Sequence, residues 1–458
     1  MKQLKFWMAA ILTLCGTMTA WAQTSYDYFY RSWDADNKTV TTETRTCSSF
    51  TAINGSDTSD SGWLGLYNGW YVVTGNSEYK VLNVLGDDVH LLIPNGVTLT
   101  LTGGVKLESD ATTSHKLTIY GQTNNTGKLT VTNSYSNAAG IGGGEGASCG
   151  TLVIHGGTIN ATGGENGAGI GGGSGQGFYG QLTIYGGKVT AQGGEHGAGI
   201  GSGKDCSGIA GFMYIYGGVV NATGGQWAAG IGGGYCGDGA VLNIHGGEVT
   251  GTAGRHSAGI GGGCYGNGIE TYIKGGTIVT NGTLGGGDGS LHSGKGNGGL
   301  IEISGGNVTA RGRYTTSADD STGAGIGCGN RGESATIVIS GGQVWAYGGE
   351  ENGRICPAGI GGGGQLAPTL NITISGGRVV AEGYQGIGAG SNVSFGERDF
   401  EGTLSITGGT IFATGSKRAV GGANGVGFGL YAGAQVKAGA TDDEAILFSA
   451  DQRVPACL

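Results

Sequence analysis

Residues 182–201 read LTIYGGKVTAQGGEHGAGIG, and variants of this segment recur along most of the chain. Ten copies of its opening Leu-x-Ile-x-Gly-Gly element align at spacings of 29 to 36 residues. A fixed period of this length is the signature of a repeat architecture, in which each unit buries its apolar face against the next. The copies begin at Leu117, Leu152, Leu182, Met213, Leu242, Thr271, Ile301, Ile337, Ile372 and Leu404.

Each copy reads as three short strands separated by glycine. Leu182 and Ile184 alternate with polar residues in the first strand. Val189 and Ala191 do the same in the second, which is the period-two pattern of strands that bury one face. The Ala-Gly-Ile-Gly element around Ile200 predicts a third, shorter strand with one large inward side chain. Gly-Gly pairs stand where the chain must turn, because glycine tolerates the positive φ of tight corners.

We therefore predict an all-β fold, a single-stranded right-handed parallel β-helix of about ten 29–36-residue coils, with neighbouring coils about 4.8 Å apart. A β-propeller blade needs four substantial strands, and a calcium-binding nonapeptide roll needs an aspartate in every short repeat. Neither pattern is present. Collagen is excluded because 107 glycines are accompanied by only 4 prolines.

The two ends of the chain differ in composition from the repeats. Residues 1–22 combine Lys2 and Lys5 with a short apolar run and end in Ala20-Trp21-Ala22, which is typical of a cleaved secretory signal. We predict a signal peptide over 1–22, an N-terminal cap over 23–80, the β-helix over 81–432, and a C-terminal tail or cap over 433–458. No later stretch reaches about 18 consecutive apolar residues. We expect a monomeric protein without a membrane span, secreted or held at the cell surface.

Eight cysteines follow the signal segment, an even number that favours disulfides in an exported protein. Cys236 and Cys264 follow the AGIGGG element on adjacent coils and form the preferred predicted pair. Cys206–Cys236 is the competing pair, and Cys328–Cys356 is a second possible bridge. No Cys/His set has zinc-site spacing, so no metal–thiolate centre is expected.

Charge and carboxylate spacing argue against several functions. With 33 acidic and 24 basic residues, the chain has a net charge of −9, which attracts neither nucleic acid nor an anionic membrane. Glu165 and Glu195 occupy equivalent turns, but two carboxylates do not supply the six to eight oxygens that Ca²⁺ takes. Bound Ca²⁺ is therefore possible but unsupported by ligand spacing, and no cofactor is expected.

The remaining acidic residues do not predict an active site. Polysaccharide lyases and hydrolases need carboxylates clustered in one cleft. Only the inserted segment with Asp319 and Asp320, near Arg311 and Arg313, offers such a group. We predict that the protein is not an enzyme.

The fourth position of each Leu-x-Ile-x-Gly-Gly element points outward and is aromatic in the first half of the helix. Ring faces flanked by hydroxyls and amides suit sugars, which predicts a platform for a polysaccharide or surface glycan. The alternative is that the rings only stack on one another along the helix. The corresponding functions are non-catalytic polysaccharide binding, or a purely structural surface rod or adhesin segment. The candidate residues are Tyr120, His155, Tyr185, Tyr216 and His245, with Tyr214 and Tyr272 in a second set nearby.

The repeats resemble glycine-rich repeats in large surface or secreted proteins of gut and anaerobic bacteria. WYVVTG from Trp70 and DVHLLIPNGVTLTL from Asp88 resemble the lead-in to those repeats, and the likeness covers about residues 70–430. A looser similarity links the coils to bacterial carbohydrate-binding β-helix proteins, some of which bind acidic plant polysaccharide with calcium. This resemblance implies the fold and carbohydrate binding, although the acidic ligand positions of that group have no residue-by-residue match here.

Overall fold

The computed structural model describes residues 25–448, apart from 110–113, 176–179, 207–209, 290–295, 313–322, 350–354, 365–367, 393–395, 398–400, 421–426, 431–434 and 441–445. The described residues form strands and turns and contain no helix. None of them therefore forms a helix that is long and apolar enough to cross a bilayer.

An antiparallel hairpin precedes the coils. Its strands are β1 (Tyr26–Asp34) and β2 (Thr39–Cys47), paired along their full length from Tyr26 opposite Cys47 to Asp34 opposite Thr39. Asp34 closes the turn, since its Oδ1 accepts hydrogen bonds from the backbone N–H groups of Asp36 and Asn37, both at 3.0 Å.

Three walls of parallel strands form the body of the protein. The first wall contains the Leu-x-Ile strands, Thr51–Ile53, Gly69–Val73, Val89–Leu92, Lys116–Tyr120, Thr151–Ile154, Gln181–Ile184, Phe212–Ile215, Val241–Ile244, Glu270–Ile273, Gly299–Ile303, Ser334–Ile339, Thr369–Ile374, Glu401–Ile406 and Gly427–Leu430.

The second wall follows the Gly-Gly corners. Its strands are Ser56–Asp57, Ser77–Tyr79, Thr98–Leu101, Lys128–Thr132, Thr158–Thr162, Lys188–Gln192, Val219–Thr223, Glu248–Thr252, Thr277–Asn281, Asn307–Arg311, Gln343–Tyr347, Arg378–Gly388, Thr410–Val420 and Gln435–Ala440, with Ile446–Phe448 antiparallel to the last.

The third wall is the shortest, as the Ala-Gly-Ile-Gly element predicts. Its strands are Trp63–Leu66, Val81–Val84, Val105–Lys106, Ile141–Gly142, Ile170–Gly171, Ile200–Gly201, Ile231–Gly232, Ile260–Gly261, Leu284–Gly285, Ile326–Gly327 and Ile360–Gly361. Small antiparallel pairs join the turns, Glu108–Ser109 with Ser148–Cys149 and Ser391–Asn392 with both Ile355–Cys356 and Gly396–Glu397.

Equivalent residues of successive copies stack in register, which confirms the predicted parallel β-helix. Leu152 pairs with Leu182 in the first wall, and Ile170 with Ile200 in the third. These side chains are sealed from water, and one continuous apolar core runs from Ile53 to Ala413. Fully burying a Leu or Ile contributes about 1.5–3 kcal/mol, so coil stacking is the main source of stability.

Glycine is required where coils approach most closely. Gly201 has a φ of 141°, and a Cβ there would overlap the carbonyl oxygen of Gly232 on the next coil. This explains why the third-wall strands from Ile141–Gly142 to Ile360–Gly361 all place glycine directly after their one large inward side chain.

The helix begins earlier than the predicted boundary at residue 81. The ten aligned copies supply ten of the fourteen described first-wall strands, and Thr51–Ile53 already pairs with Tyr71–Val73 in parallel. The region predicted as a cap over 23–80 is thus a hairpin followed by the first coils. These coils lack the Gly-Gly spacing of the later copies, so the repeat pattern does not reveal them.

The predicted Cys236–Cys264 disulfide is wrong: both residues are thiols in the structure, and Cys206 is not joined to Cys236. Ile231 and Ile260 are in register, and Cys236 lies five residues after the first whereas Cys264 lies four after the second. This one-residue offset places Cys236 at a left-handed corner, with φ 60°, and Cys264 inside the coil.

The second predicted bridge, Cys328–Cys356, lies partly outside the described residues. Cys328 is a buried thiol whose Sγ donates to the carbonyl of Ser334 at 3.3 Å. The side chain of Cys356 lies outside the described residues.

Candidate carbohydrate-binding surfaces

The outward residues Tyr120, His155, Tyr185, Tyr216 and His245 form a stacked aromatic ladder along the first wall. The ring centroids of Tyr120 and His155 are 4.9 Å apart, with planes 6° apart. The next two steps, to Tyr185 and then Tyr216, are 5.2 and 5.1 Å, each with planes 9° apart. His245 follows at 4.7 Å and 29°. Because the rings are nearly parallel and close together, their faces contact each other and are not open for stacking on sugars.

The N-terminal hairpin lies across the outer edge of this ladder. Tyr30 stacks on His155 with centroids 4.9 Å apart. Trp33 packs between Tyr216 and His245, at 5.1 and 4.9 Å. The strand β1 therefore runs along the helix axis, perpendicular to the coils that it covers.

The spacing of aromatic residues along β1 matches the spacing of the coils that they contact. Tyr30 and Trp33 are three residues apart, which is about 10 Å in an extended strand. His155 and Tyr216 are two coils apart, which is about 9.6 Å. This agreement lets successive aromatic residues of β1 each meet a ring of the ladder without bending the strand.

Hydrogen bonds fix the near end of the hairpin to the coil that contains Tyr120. The N–H of Phe29 donates to the carbonyl of Gly121 at 3.1 Å, and the amide of Gln122 donates to the carbonyl of Asp27 at 2.8 Å. Tyr28 packs edge-on against Tyr120 at 4.8 Å. The backbone and the aromatic contacts thus set the same register.

The centre of the contact is buried and polar. The N–H of Arg31 donates to Nδ1 of His155 at 3.1 Å, and its guanidinium donates to the His155 carbonyl. Burial lowers the pKa of His155 to about 4, so the imidazole is neutral and Nδ1 can accept this bond. Burial also raises the pKa of the Tyr120 hydroxyl and lowers that of Arg31.

Tyr120 and His155 are each only 4% exposed, so the prediction that they contact a glycan is wrong. For these two residues the structural alternative, rings that stack on one another, describes what is found. Tyr185, Tyr216 and His245 remain partly exposed at the far end of the hairpin. The alternation of aromatic residues in YDYFY, from Tyr26, is the sequence signal that a strand would cover the ladder.

The second predicted set is more open. Tyr214 and Tyr272 lie in one outward row of the first wall with Asn243 between them, two coils apart. Tyr214 is parallel to Tyr216 at 6.4 Å, and the hydroxyl of Tyr272 donates to Glu270 at 2.9 Å. The two tyrosines therefore do not stack on each other, and neither is covered by β1.

A groove on the third wall, near the N-terminal end of the helix, carries two strongly exposed aromatic rings. Here Trp63 is 58% exposed and Tyr135 is 50% exposed. Among the described residues neither ring stacks on another aromatic side chain, and Tyr135 has only the ammonium of Lys80 at 5.9 Å. Both rings line one depression together with Asn83, Lys106, Glu108 and Glu145, and we call it the third-wall groove.

Glycine in the third wall explains why a depression forms at this place. Lys106 pairs with Asn83 in the preceding coil and with Gly142 in the following one. The outward row thus changes from side chains to bare backbone at Gly142, while Tyr135 stands at the rim.

Polar side chains line the third-wall groove beside the two rings. Lys106 lies 3.3 Å from Glu108, whose Oε1 also accepts from the N–H of Gly144 at 3.2 Å. The Oδ1 atom of Asn83 is shielded from water and has no hydrogen-bond partner among the described residues. An unsatisfied acceptor of this kind costs about 1–3 kcal/mol in stability.

Sequence reasoning missed the third-wall groove for a specific reason. Trp63 falls in the segment predicted as a cap, and Tyr135 lies between two aligned copies. Only the parallel pairing of Trp63–Leu66 with Val81–Val84 brings the first aromatic residue onto the helix.

Comparison with known proteins supports the architecture. The family described as "Beta helix repeat" matches residues 152–174, 182–204, 214–235, 242–264, 301–330, 337–364 and 372–391. These segments cover seven of the ten aligned copies. The chain is a β-helix repeat protein. No curated protein and no solved structure matches it.

The predicted cluster of two aspartates and two arginines in the β-helix repeat protein lies only partly within the described residues. Arg311 ends a second-wall strand, and its guanidinium lies over the ring of Tyr347 at 4.3 Å. Arg313, Asp319 and Asp320 lie outside the described residues, so the one predicted carboxylate group cannot be placed.

A histidine–aspartate hydrogen bond that the sequence did not reveal joins three turns of the β-helix repeat protein. Asp288 is 6% exposed, and its Oδ2 lies 2.8 Å from Nδ1 of His256. Its Oδ1 accepts from the N–H of Asn330 at 3.1 Å, and Trp227 stacks on His256 at 5.4 Å. Since Asp288 is enclosed and connects consecutive turns, the arrangement stabilises their stacking.

Proposed function

We propose that this β-helix repeat protein is exported and binds polysaccharide without cleaving it, using the third-wall groove. The observation that carries the proposal is the pair of exposed, unstacked rings, Trp63 and Tyr135, in one depression that is also lined by Asn83, whose Oδ1 atom is unsatisfied. Tyr214 and Tyr272 form a second, weaker candidate contact. The covered ladder has no part in binding.

The chemistry of the third-wall groove suits a sugar chain. Sugars present C–H faces, which pack on aromatic rings, and hydroxyls, which need both donors and acceptors. Trp63 and Tyr135 offer the rings, Lys106 offers donors, and Asn83 and Glu108 offer acceptors. Binding sites for small polar ligands commonly combine apolar walls with a few placed polar groups in this way.

A non-catalytic role fits the setting of the carboxylates in the third-wall groove. Acid catalysis of glycoside cleavage uses a carboxyl group whose pKa is raised in an apolar pocket. Glu108 instead lies in a polar setting, in an ion pair with Lys106 and accepting a hydrogen bond from the N–H of Gly144. Export and secretion are proposed from the N-terminal segment alone, which precedes the described residues.

The test is retention of the protein in native gels that contain neutral or acidic plant polysaccharides, with and without Ca²⁺. Trp63→Ala and Tyr135→Ala should each weaken retention about tenfold, the equivalent of about 1.4 kcal/mol for a lost aromatic anchor. Tyr67→Ala is the matched control, since Tyr67 is 63% exposed and lies outside the third-wall groove. Retention that survives in the double variant Trp63→Ala/Tyr135→Ala would contradict this site.

The structural alternative, a surface rod or adhesin segment, predicts no retention on any polysaccharide. The aromatic ladder and its hairpin favour it, because both stabilise the rod and neither needs a ligand. A third outcome is binding on the first wall. In that case retention is lost in the double variant Tyr214→Ala/Tyr272→Ala.

A further inference from the structure

We propose that Glu165, Glu195 and His196 form a binding site for a divalent transition-metal ion such as Zn²⁺. One carboxylate oxygen from each glutamate and one ring nitrogen of the histidine all lie within 4.8 Å of one another. Zinc binds such atoms at about 2.0–2.2 Å, so a small rotation of the exposed carboxylates brings all three to one ion. This site is separate from the third-wall groove and does not depend on the proposed function.

The register of the coils builds this cluster. Glu165 and Glu195 both follow a Gly-Gly pair, at the turn between the second and third walls. The N–H of His196 donates to the carbonyl of Glu165 at 2.9 Å, which fixes the two turns directly against each other. A ligand set split over two coils therefore converges without any change in the backbone.

The two carboxylates are like charges on neighbouring turns. Both are exposed, and among the described residues neither forms an ion pair. Like charges placed opposite each other on adjacent strands are destabilising. A cation between the two carboxylates removes this repulsion.

The histidine supplies a second, independent observation. Its Nδ1 atom is shielded from water and has no hydrogen-bond partner among the described residues. The Oδ1 atom of Asn166, at the equivalent position of the preceding turn, is in the same state. Buried polar atoms are nearly always satisfied in folded proteins, so an unsatisfied ring nitrogen on a residue of this cluster indicates a missing partner.

The ligand types select the ion. An imidazole nitrogen with two carboxylates suits Zn²⁺ and related ions, whereas Ca²⁺ takes six to eight oxygens. The ordinary alternative, two solvated surface glutamates, accounts for their exposure but not for the unsatisfied imidazole. Sequence spacing reveals only the glutamates, because His196 has asparagine and tryptophan at the equivalent positions of its neighbouring copies.

Calorimetric titration of the full exported chain with ZnCl₂, and separately with CaCl₂, tests the proposal. Glu195→Gln and His196→Ala should each weaken one Zn²⁺ site by more than about tenfold, at least the loss that removing an outer-sphere partner causes. His115→Ala and Glu248→Gln are matched controls away from the site and should leave that affinity unchanged. Substitution with Co²⁺ adds a spectroscopic readout, because thiolate ligation gives an intense charge-transfer band and N/O ligation does not.

Zn²⁺ binding that is lost in both site variants, with a Co²⁺ spectrum free of thiolate bands, supports the proposal. Three results would overturn it: no Zn²⁺ binding, binding of equal strength in the site variants, or a spectrum showing that cysteines hold the ion. Binding of Ca²⁺ alone would also overturn it, since imidazole is a poor Ca²⁺ ligand.

Discussion

Tyr30 of the N-terminal hairpin stacks on His155 of the coil, with ring centroids 4.9 Å apart and planes 29° apart. This contact changes how the aromatic ladder is interpreted. The surface that was predicted from the sequence to bind sugar is the docking site of the protein's own first strand. The ladder joins the hairpin to successive coils and so protects the flank of the first wall.

Removing aromatic side chains from the hairpin should release it while the helix stays folded. Trp33→Ala deletes two ring contacts, and we expect docking to weaken by about 1–3 kcal/mol. Hydrogen exchange should then accelerate in residues 26–47 and not in the third wall. Trp63→Ala, which removes an exposed ring elsewhere, is the control, and equal protection of the hairpin in both variants would contradict the docking role.

Acid should loosen the same contact. The pKa of His155 is lowered by burial to about 4, from about 6.5 in an unfolded chain, so folding disfavours the protonated imidazole. The stabilisation is complete above pH 6.5 and is lost as the pH falls towards 4, by up to about 3 kcal/mol. Urea unfolding between pH 7 and pH 4 measures it. His155→Phe keeps a ring but cannot titrate, and an unchanged pH dependence in that variant would assign the effect to other groups.

Gly201 should tolerate no side chain. Gly201→Ala places a Cβ against the Gly232 carbonyl at a φ of 141°, and we expect a loss on the order of 3 kcal/mol in stability. Gly146→Ala is the matched control, because its φ is also positive, 68°, but no atom lies within 4 Å. That variant should lose about 1–2 kcal/mol from backbone strain alone. Equal melting temperatures for the two variants would contradict the close approach of the coils.

The buried cysteines should be unreactive thiols. Burial raises the pKa of Cys328 to about 12 and also raises that of Cys149, so neither forms a thiolate at neutral pH. Alkylation followed by mass spectrometry should leave both unmodified in the native protein and modify both after unfolding. A disulfide-linked peptide that contains Cys328 would contradict this.

The fold could be predicted from the repeat because each copy must bury the same inward side chains against its neighbours. Inward Leu182 and Ile184, a glycine corner and Ile200 recur with one period, and only stacked coils bury them all. The surface contacts lack such a period. The fit of Tyr30 to His155 depends on where a non-repeated strand lies, and the third-wall groove depends on coils without the Gly-Gly signature.

The prediction of the Cys236–Cys264 disulfide failed for a related reason. Proximity of coils was predictable, but a single-residue offset between Cys236 and Cys264 decides which side chain faces inward. The Glu165–Glu195 stack was visible because both residues share one position of the repeat, whereas His196 becomes a neighbour of Glu165 only through the pairing of the turns.

The central claim is that polysaccharide is held in the third-wall groove and not on the aromatic ladder. Hydrogen exchange of the protein with and without a bound oligosaccharide tests it most directly. We predict slower exchange in residues 60–66, 81–85, 103–108 and 133–145 on binding, with no change in residues 151–156 and 181–187. Protection confined to the ladder segments, or to none of these residues at saturating oligosaccharide, would contradict it.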